Sequence, residues 1–180
     1  IVEKKIEEKK PELKGKDGKV PAFNQLIGTR FPTLDVVEAL GETTLKLNKK
    51  DYNGQNSVEI MRNDNNIFQG IALKANINGA NKGQLMVVRV PFYVFNDSES
   101  NNFPLSFSVI KENEPLNPYS IFNGEIQTDK WQLAEIQIPF EEDFNEKIKK
   151  IAFVSFGNAH FKITEPYIAV SDVKTDKWLP

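Results

Sequence analysis

Few side chains in this sequence could carry out catalysis. The chain has no cysteine and one histidine, His160, which excludes thiol nucleophiles, disulfides and thiolate metal sites. A serine–histidine–acid triad would depend on His160, which stands at the head of a short predicted strand, where a structural role is the ordinary one. Glu141, Glu142 and Asp143 are adjacent, and adjacent carboxylates rarely converge on one bond from opposite sides. We therefore expect a protein that is not an enzyme.

The candidates for ligand binding are aromatic and amide side chains near predicted loops. Tyr52 lies in a predicted turn, and Asn117 and Tyr119 lie in or beside a proline-containing loop. Loops at the ends of a sandwich often carry binding residues, although asparagine also favours turns without any ligand. Trp131 could stack on a sugar ring, but its place at the start of a core strand favours packing. We predict Tyr52, Asn117, Tyr119 and Trp131 as ligand contacts.

A calcium site would need several oxygen ligands that converge. Glu38, Glu42 and Asp172 would meet if the segment before the first long strand lies beside the closing strand. Asp64 with its asparagine neighbours is a rival cluster, although the spacing of an EF-hand is absent. The predicted metal ligands are Glu38, Glu42 and Asp172, and the only cofactor we expect is a structural calcium ion.

From Thr43 onward the sequence is a series of short apolar or alternating segments, separated by turns rich in asparagine, glycine and proline. The longest apolar stretch runs from Gln84 to Phe95; its β-branched and aromatic residues favour a strand over a helix. Pro91 lacks an amide hydrogen and predicts a bulge or bend midway. Because no alternation of strands with helices is visible, we do not expect a parallel α/β sheet. We predict an all-β, antiparallel β-sandwich.

Two further elements are predicted before the strands. Residues 1–22 are rich in lysine and glutamate and form a charged arm or linker, which leaves 23–180 as the sandwich domain. A short helix is predicted after Phe31, with Thr33 as N-cap, Asp35 in the first turn and Gly41 as the stop.

Composition limits the partners and the compartment. The formal net charge is −2, so no basic field favours nucleic acid. No apolar run approaches the roughly 18 residues that predict a membrane-spanning helix. The chain begins at Ile1 instead of methionine, as a mature chain does after signal removal and as a trimmed sequence does as well. We expect an exported protein of the periplasm, the cell surface or the extracellular space.

The last third of the chain carries a recognisable pattern. Asp129-Lys130-Trp131-Gln132 opens a strand that ends at Ile138-Pro139-Phe140; a strand at 148–156 follows, and 167–173 closes the domain. This pattern resembles the galactose-binding-like jelly rolls that include many carbohydrate-binding modules. Related modules often carry two adjacent acidic residues on the closing strand, and one of them can be a calcium ligand. This chain has only Asp172 at that position, preceded by Ser171.

The resemblance implies a jelly roll whose function is non-catalytic binding of a polysaccharide or glycan. A looser similarity, to filament-coat proteins such as the spirochaete flagellar sheath proteins, implies a structural coat or assembly protein whose partners are other protein subunits. The charged arm and the absence of cysteine are compatible with that alternative.

Overall fold

The computed structural model describes residues 23–25, 31–62, 69–74, 82–98, 105–111, 119–120, 125–140, 148–155 and 159–171. The predicted arm, residues 1–22, lies outside them. The described part contains one 3-10 turn, at Leu34–Val36, and twelve strands: β1 (Phe23–Gln25), β2 (Val37–Leu40), β3 (Thr44–Tyr52), β4 (Gln55–Met61), β5 (Gln69–Lys74), β6 (Leu85–Val94), β7 (Ser106–Lys111), β8 (Tyr119–Ser120), β9 (Trp131–Pro139), β10 (Ile148–Ser155), β11 (Phe161–Thr164) and β12 (Tyr167–Ser171).

The strands form two antiparallel sheets. In the seven-stranded sheet the order is β1-β12-β6-β11-β4-β3, and β9 also pairs with β6. The five-stranded sheet has the order β2-β5-β10-β7-β8. The prediction of an all-β, antiparallel sandwich is confirmed.

Strand β6 is the centre of the larger sheet because it has partners along both edges. β9 pairs with it from Leu85 to Tyr93 without a register shift. Along the other edge, β12 pairs with the first half of β6 and β11 with its last three residues. β11 and β12 therefore lie end to end. The bulge predicted at Pro91 is absent, since Pro91 pairs in register with Leu133 and falls where neither β11 nor β12 pairs with β6.

The core lies between the two sheets. In β6 every second side chain enters it: Met86, Val88, Val90, Phe92 and Val94. The five-stranded sheet contributes Phe107 and Phe153, whose ring centroids are 5.6 Å apart. The alternate residues of β6 point to the opposite face of the sheet, because successive side chains of a strand alternate. We call that face, turned away from the core, the outer face.

The predicted helix after Thr33 is wrong. A single 3-10 turn forms at Leu34–Val36, and the Thr33 side chain makes no capping hydrogen bond. The chain then enters β2, which pairs with β5 from Val37 to Leu40. The β-branched Val37 favours extended backbone, and the ladder to β5 satisfies backbone groups that an isolated two-turn helix would leave exposed. Gly41 ends this segment with a φ of 69°, as a strand terminator.

None of the helical segments in the described part of the chain is long and apolar enough to span a bilayer.

Gly70 on β5 lies opposite Val154 of β10. A Cβ atom at Gly70 would come within 2.3 Å of the Phe153 carbonyl oxygen and 2.7 Å of the Val154 Cγ1 atom. We expect Gly70→Ala to lower the free energy of unfolding by about 3 kcal/mol, because the backbone carbonyl cannot move away cheaply. Urea denaturation measures this loss.

Gly54→Ala is the matched control. An added Cβ would have no atom within 4 Å, although the φ of 75° carries strain, so we expect a loss of only about 1 kcal/mol. Equal losses in the two variants would show that the close approach of β5 to β10 is not what requires glycine at position 70.

Candidate functional site

Five side chains form a lateral row across the outer face, one from each of five neighbouring strands. The registers pair Lys46 with Glu59, Glu59 with Lys162, Lys162 with Tyr93 and Tyr93 with Trp131. Lys46, Glu59, Lys162 and Tyr93 each lie between residues that pack in the core, so the period of two places them on the outer face. Trp131 lies an odd number of residues before the core residues Ala134 and Ile138 of the same strand, which places it on the outer face as well. We call Lys46, Glu59, Lys162, Tyr93 and Trp131 the outer row.

Lys162 is the centre of the row. Its Nζ atom lies 4.5 Å from the ring centroid of Tyr93, 5.2 Å from that of Trp131 and 5.4 Å from that of Phe95. The same atom is 2.7 Å from Asp51 Oδ2, and the side chain is 12% exposed. Cation–π attraction and one ion pair therefore compensate a charge that is mostly removed from water.

The aromatic side chains of this region are in mutual contact. The rings of Tyr93 and Trp131 meet edge to face at 5.7 Å, and those of Tyr93 and Phe95 are 5.0 Å apart. Tyr52 packs on Trp131 with centroids 4.7 Å apart and planes tilted by 38°. Tyr52 and Trp131 are 7% and 8% exposed, whereas Tyr93 and Phe95 are half-buried. The rings open to solvent are therefore Tyr93 and Phe95.

The contact between Tyr52 and Trp131 joins opposite edges of the sheet. β3 and β9 are separated by β4, β11 and β6, which would be about 19 Å in a flat sheet. The β3–β4 pairing is irregular between Asn48 and Tyr52, and Lys50 and Asn53 have φ values of 50° and 47°. The end of this hairpin therefore turns over the outer face. We call residues 50–54 the hairpin tip.

His160 sits between two carboxylates beside the row. Its Nε2 atom is 2.8 Å from Glu59 Oε2, its Nδ1 atom is 2.7 Å from Asp97 Oδ1, and its ring stacks on Phe95 at 4.0 Å. Each contact is a hydrogen bond when its ring nitrogen carries a proton, because a carboxylate oxygen accepts. Neither nitrogen is directed at a serine hydroxyl; the Ser98 Oγ atom accepts from the backbone N–H of His160 instead.

The Glu59 carboxylate is shaped by opposing effects. Burial by itself raises the pKa of Glu59, but hydrogen bonds from His160 and Asn48, with the positive charges of His160 and Lys46, hold that pKa below its ordinary value. The Asn48 Nδ2 atom donates to Glu59 Oε1 over 3.0 Å. The carboxylate is therefore the stable, charged form at neutral pH.

A second charged group lies on the same face away from the outer row. Arg89 is 4% exposed, its Nε atom is 3.1 Å from Glu135 Oε2, and its guanidinium lies 5.0 Å from the Tyr167 ring. The contact with Glu135 is close enough for an ion pair but its angle is poor for a hydrogen bond, and Nη2 has no hydrogen-bond partner among the described residues. Arg89 and Glu135 therefore form an ionic contact, because the Coulomb energy depends on their 3.1 Å separation and not on the hydrogen-bond angle.

Of the four predicted ligand contacts, the structure brings two together, Tyr52 and Trp131. Tyr119 begins β8 and pairs with Phe107 in the other sheet, so it does not share the outer face. Asn117 lies outside the described residues. The ligand-binding roles of all four stay predictions.

The predicted calcium ligands are only partly described. Glu38 lies on β2 and its Oε2 atom is 2.6 Å from Lys150 Nζ. Glu42 is exposed after that strand, and Asp172 and Asp64 lie outside the described residues. Within the described ranges no three histidine, aspartate or glutamate side chains converge on a metal position. The calcium site stays a prediction.

Sequence reasoning missed Glu59, Lys162 and Tyr93. A signal was present: Glu59 lies between Val58 and Ile60, and Lys162 between Phe161 and Ile163. A charged residue between two core residues must occupy the opposite face of its strand. What the sequence does not contain is the register that aligns these strands.

We expect Glu59→Gln to lower the free energy of unfolding by about 1 to 3 kcal/mol at neutral pH, because the variant loses its charged hydrogen bonds. The folded-state pKa of Glu59 lies below the unfolded value of 4.5. As the pH falls, the unfolded chain therefore takes up the proton first. The contribution of the Glu59 carboxylate to the free energy of unfolding is complete above pH 4.5 and is lost as the pH falls through the folded-state pKa.

The difference in the free energy of unfolding between wild type and variant should accordingly become smaller below pH 4.5. Urea denaturation between about pH 3 and pH 7 measures it. Glu125→Gln, at an exposed position, is the control and should show no such gap. A gap that stays constant or widens in acid would contradict the role assigned to the Glu59 carboxylate.

Comparison with known proteins shows where this fold occurs. No model of a known protein family matches the chain, and no curated protein matches its sequence. The xylan-binding module CBM22-1 of Paenibacillus barcinonensis Xyn10C superposes with a TM-score of 0.62 at 15% identity, over 87% of this chain and 99% of that one. The C-terminal family 22 carbohydrate-binding module of Clostridium thermocellum Xyn10B gives a TM-score of 0.60 at 15% identity, over 81% and 92%.

A structure of the CBM22-1 and GH10 modules of Clostridium thermocellum Xyn10B, complexed with xylohexaose, gives a TM-score of 0.59 at 15% identity. It is matched over 81% of this chain and 28% of that one. Likeness at this identity establishes the fold alone. The similarity to filament-coat proteins stays a prediction. The resemblance to carbohydrate-binding modules is confirmed at the level of the fold: the chain has the jelly-roll sandwich of the family 22 modules.

Proposed function

We propose that this domain is a non-catalytic carbohydrate-binding module that holds a polysaccharide against its outer face. The observation that carries the proposal is the outer row, in which aromatic rings and charged groups stand side by side across the sheet. A sugar ring has an apolar C–H face and a rim of hydroxyls. Aromatic rings suit the face, and charged groups form strong hydrogen bonds to the rim.

The open part of the surface combines both kinds of contact. Tyr93 and Phe95 are half-buried, with one part of each ring accessible, and their rings are fixed by Trp131 and His160. Asp97, whose side chain is 53% exposed, adds a carboxylate beside Phe95. Rigid rings lose little conformational entropy on binding, which favours affinity.

The fold supports a polysaccharide as the ligand class. The CBM22-1 module of Paenibacillus barcinonensis Xyn10C is a xylan-binding domain, and the structure from Clostridium thermocellum Xyn10B contains xylohexaose. We therefore place β-1,4-linked xylan first among the polysaccharides to test. Such polymers lie outside the cell, so the proposal includes an exported location for the protein.

A binding role is favoured over catalysis by the state of His160. Both of its ring nitrogens are engaged by carboxylates, so neither is available to take a proton from a bound hydroxyl. The alternative role as a coat or assembly protein rests on the charged arm, which lies outside the described residues. Within those residues Val36 is the only large hydrophobic side chain that is exposed, and no specific observation favours assembly.

We expect the wild-type protein to be retarded in affinity gels that contain xylan, and Tyr93→Ala and Phe95→Ala to weaken the binding by about tenfold or more. The loss of one stacking ring is worth about 1.4 kcal/mol or more. Tyr167→Ala is the control, because it removes a half-buried tyrosine from the same face, away from the outer row. It should bind as the wild type does.

Gels with β-glucan, mannan and galactan extend the test to other polysaccharides. No retention on any of these polymers, with and without calcium, would refute the proposal. Equal losses in all three variants would instead refute the outer row as the contact surface.

A further inference from the structure

The hairpin tip covers the tryptophan of the outer row. Tyr52 packs on the Trp131 ring at 4.7 Å, and only 8% of Trp131 is exposed. A sugar ring that stacks on tryptophan occupies the same kind of position, parallel or tilted over the indole at van der Waals distance. Tyr52 therefore stands where a sugar would stand if the full outer row were used.

Two side chains attach the tip to the face beneath it. Asp51 Oδ2 is 2.7 Å from Lys162 Nζ and accepts a hydrogen bond from Ser57 Oγ over 2.6 Å, and Tyr52 provides the aromatic contact. The backbone of Lys50 donates to Asn56 Oδ1 over 3.0 Å, which is a contact within the hairpin. The attachment across the face therefore includes one ion pair and one ring contact.

The remainder of the tip adds little to this attachment. Asn53 and Gly54 are exposed, and a Cβ at Gly54 would meet nothing within 4 Å. Glycine with a φ of 75° and Asn53 with a φ of 47° are residue types that tolerate such backbone without a large penalty. The tip is therefore a small element in which Asp51 and Tyr52 provide the described side-chain contacts to the face.

We propose that the hairpin tip is an intramolecular competitor for the polysaccharide, so that binding displaces Tyr52 from Trp131 and Asp51 from Lys162. This inference rests on the proposed function. Opening exposes the Trp131 ring for a sugar and releases the Lys162 ammonium to donate to its hydroxyls. The apparent affinity is the intrinsic affinity multiplied by the fraction of molecules that are open.

The competitor also sets a requirement on ligand length. A single sugar on Trp131 replaces the contacts of Tyr52 and gains little. A longer chain that also reaches Tyr93 and Phe95 gains contacts with these two rings. These additional contacts offset the loss of the contacts that Tyr52 and Asp51 make in the closed form. The site therefore selects long, continuous chains over mono- and disaccharides more strongly than an open row of the same rings.

The test uses Asp51→Asn and Tyr52→Gly, singly and together, in a Trp178→Phe background. That background leaves Trp131 as the only tryptophan, so its fluorescence reports the tip directly. The control is Asp35→Asn, an exposed aspartate away from the row. Calorimetry measures the affinity for xylohexaose and xylobiose, and the affinity gels with the other polysaccharides are repeated with each variant. Acrylamide quenching of the tryptophan fluorescence measures the exposure of Trp131. Circular dichroism and thermal unfolding check the fold.

We expect the double variant to show a more quenchable Trp131 and about tenfold tighter binding of xylohexaose, with Asp35→Asn unchanged. The preference for xylohexaose over xylobiose should shrink in the variant. Asp51→Asn alone keeps Tyr52 in place and should give a smaller change in the same direction.

Three results would overturn the inference. Unchanged quenching would show that the tip does not shield Trp131. If Trp131 became more exposed in the variant but xylohexaose bound with unchanged affinity, Tyr52 would not be a competitor. If the variant bound more weakly, Tyr52 would be part of the contact surface. The proposed function survives either of these two results. If neither wild type nor variant binds any polysaccharide in solution or in gels, the proposed function fails, and the competitor with it.

Discussion

The constraint on which the rest of the structure depends is the double pairing of β6. Its one edge is occupied by β9 and its other edge by β12 and β11 in succession. One face of β6 enters the core through Met86, Val88, Val90, Phe92 and Val94. Most of the other face is buried as well. A one-residue change in the register of this strand would move a set of large side chains to the wrong side of the sheet.

The same register builds the candidate site. Tyr93 faces Trp131 on one side and Lys162 on the other only because β9 and β11 are both locked to β6. The Lys162 charge then holds Asp51 and with it the hairpin tip. The chemistry of the outer face is therefore a consequence of strand pairing in the sheet: rings and charges that are distant in sequence are placed at the separation of neighbouring strands.

Two sequence predictions failed where pairing overrode local preference. The residues after Thr33 carry a plausible helix start and a glycine stop, yet Val37–Leu40 became β2 because β5 offers a ladder partner. Local signals in so short a segment are worth less than a few interstrand hydrogen bonds and the burial that accompanies them. Pro91 was expected to cause a bulge or bend in β6; no bulge forms, and Pro91 lies opposite the break between β11 and β12.

By itself the sequence determined the class of fold and most of the strands, because the alternation of apolar residues and the turn residues between them are local properties. It also identified Tyr52 and Trp131 as residues of interest. Only the tertiary structure decided that these two rings meet, that Glu59, Lys162 and Tyr93 share their surface, and that His160 lies between two carboxylates. The physical reason is that register and sheet curvature join residues from five strands, and neither quantity is encoded within any single segment.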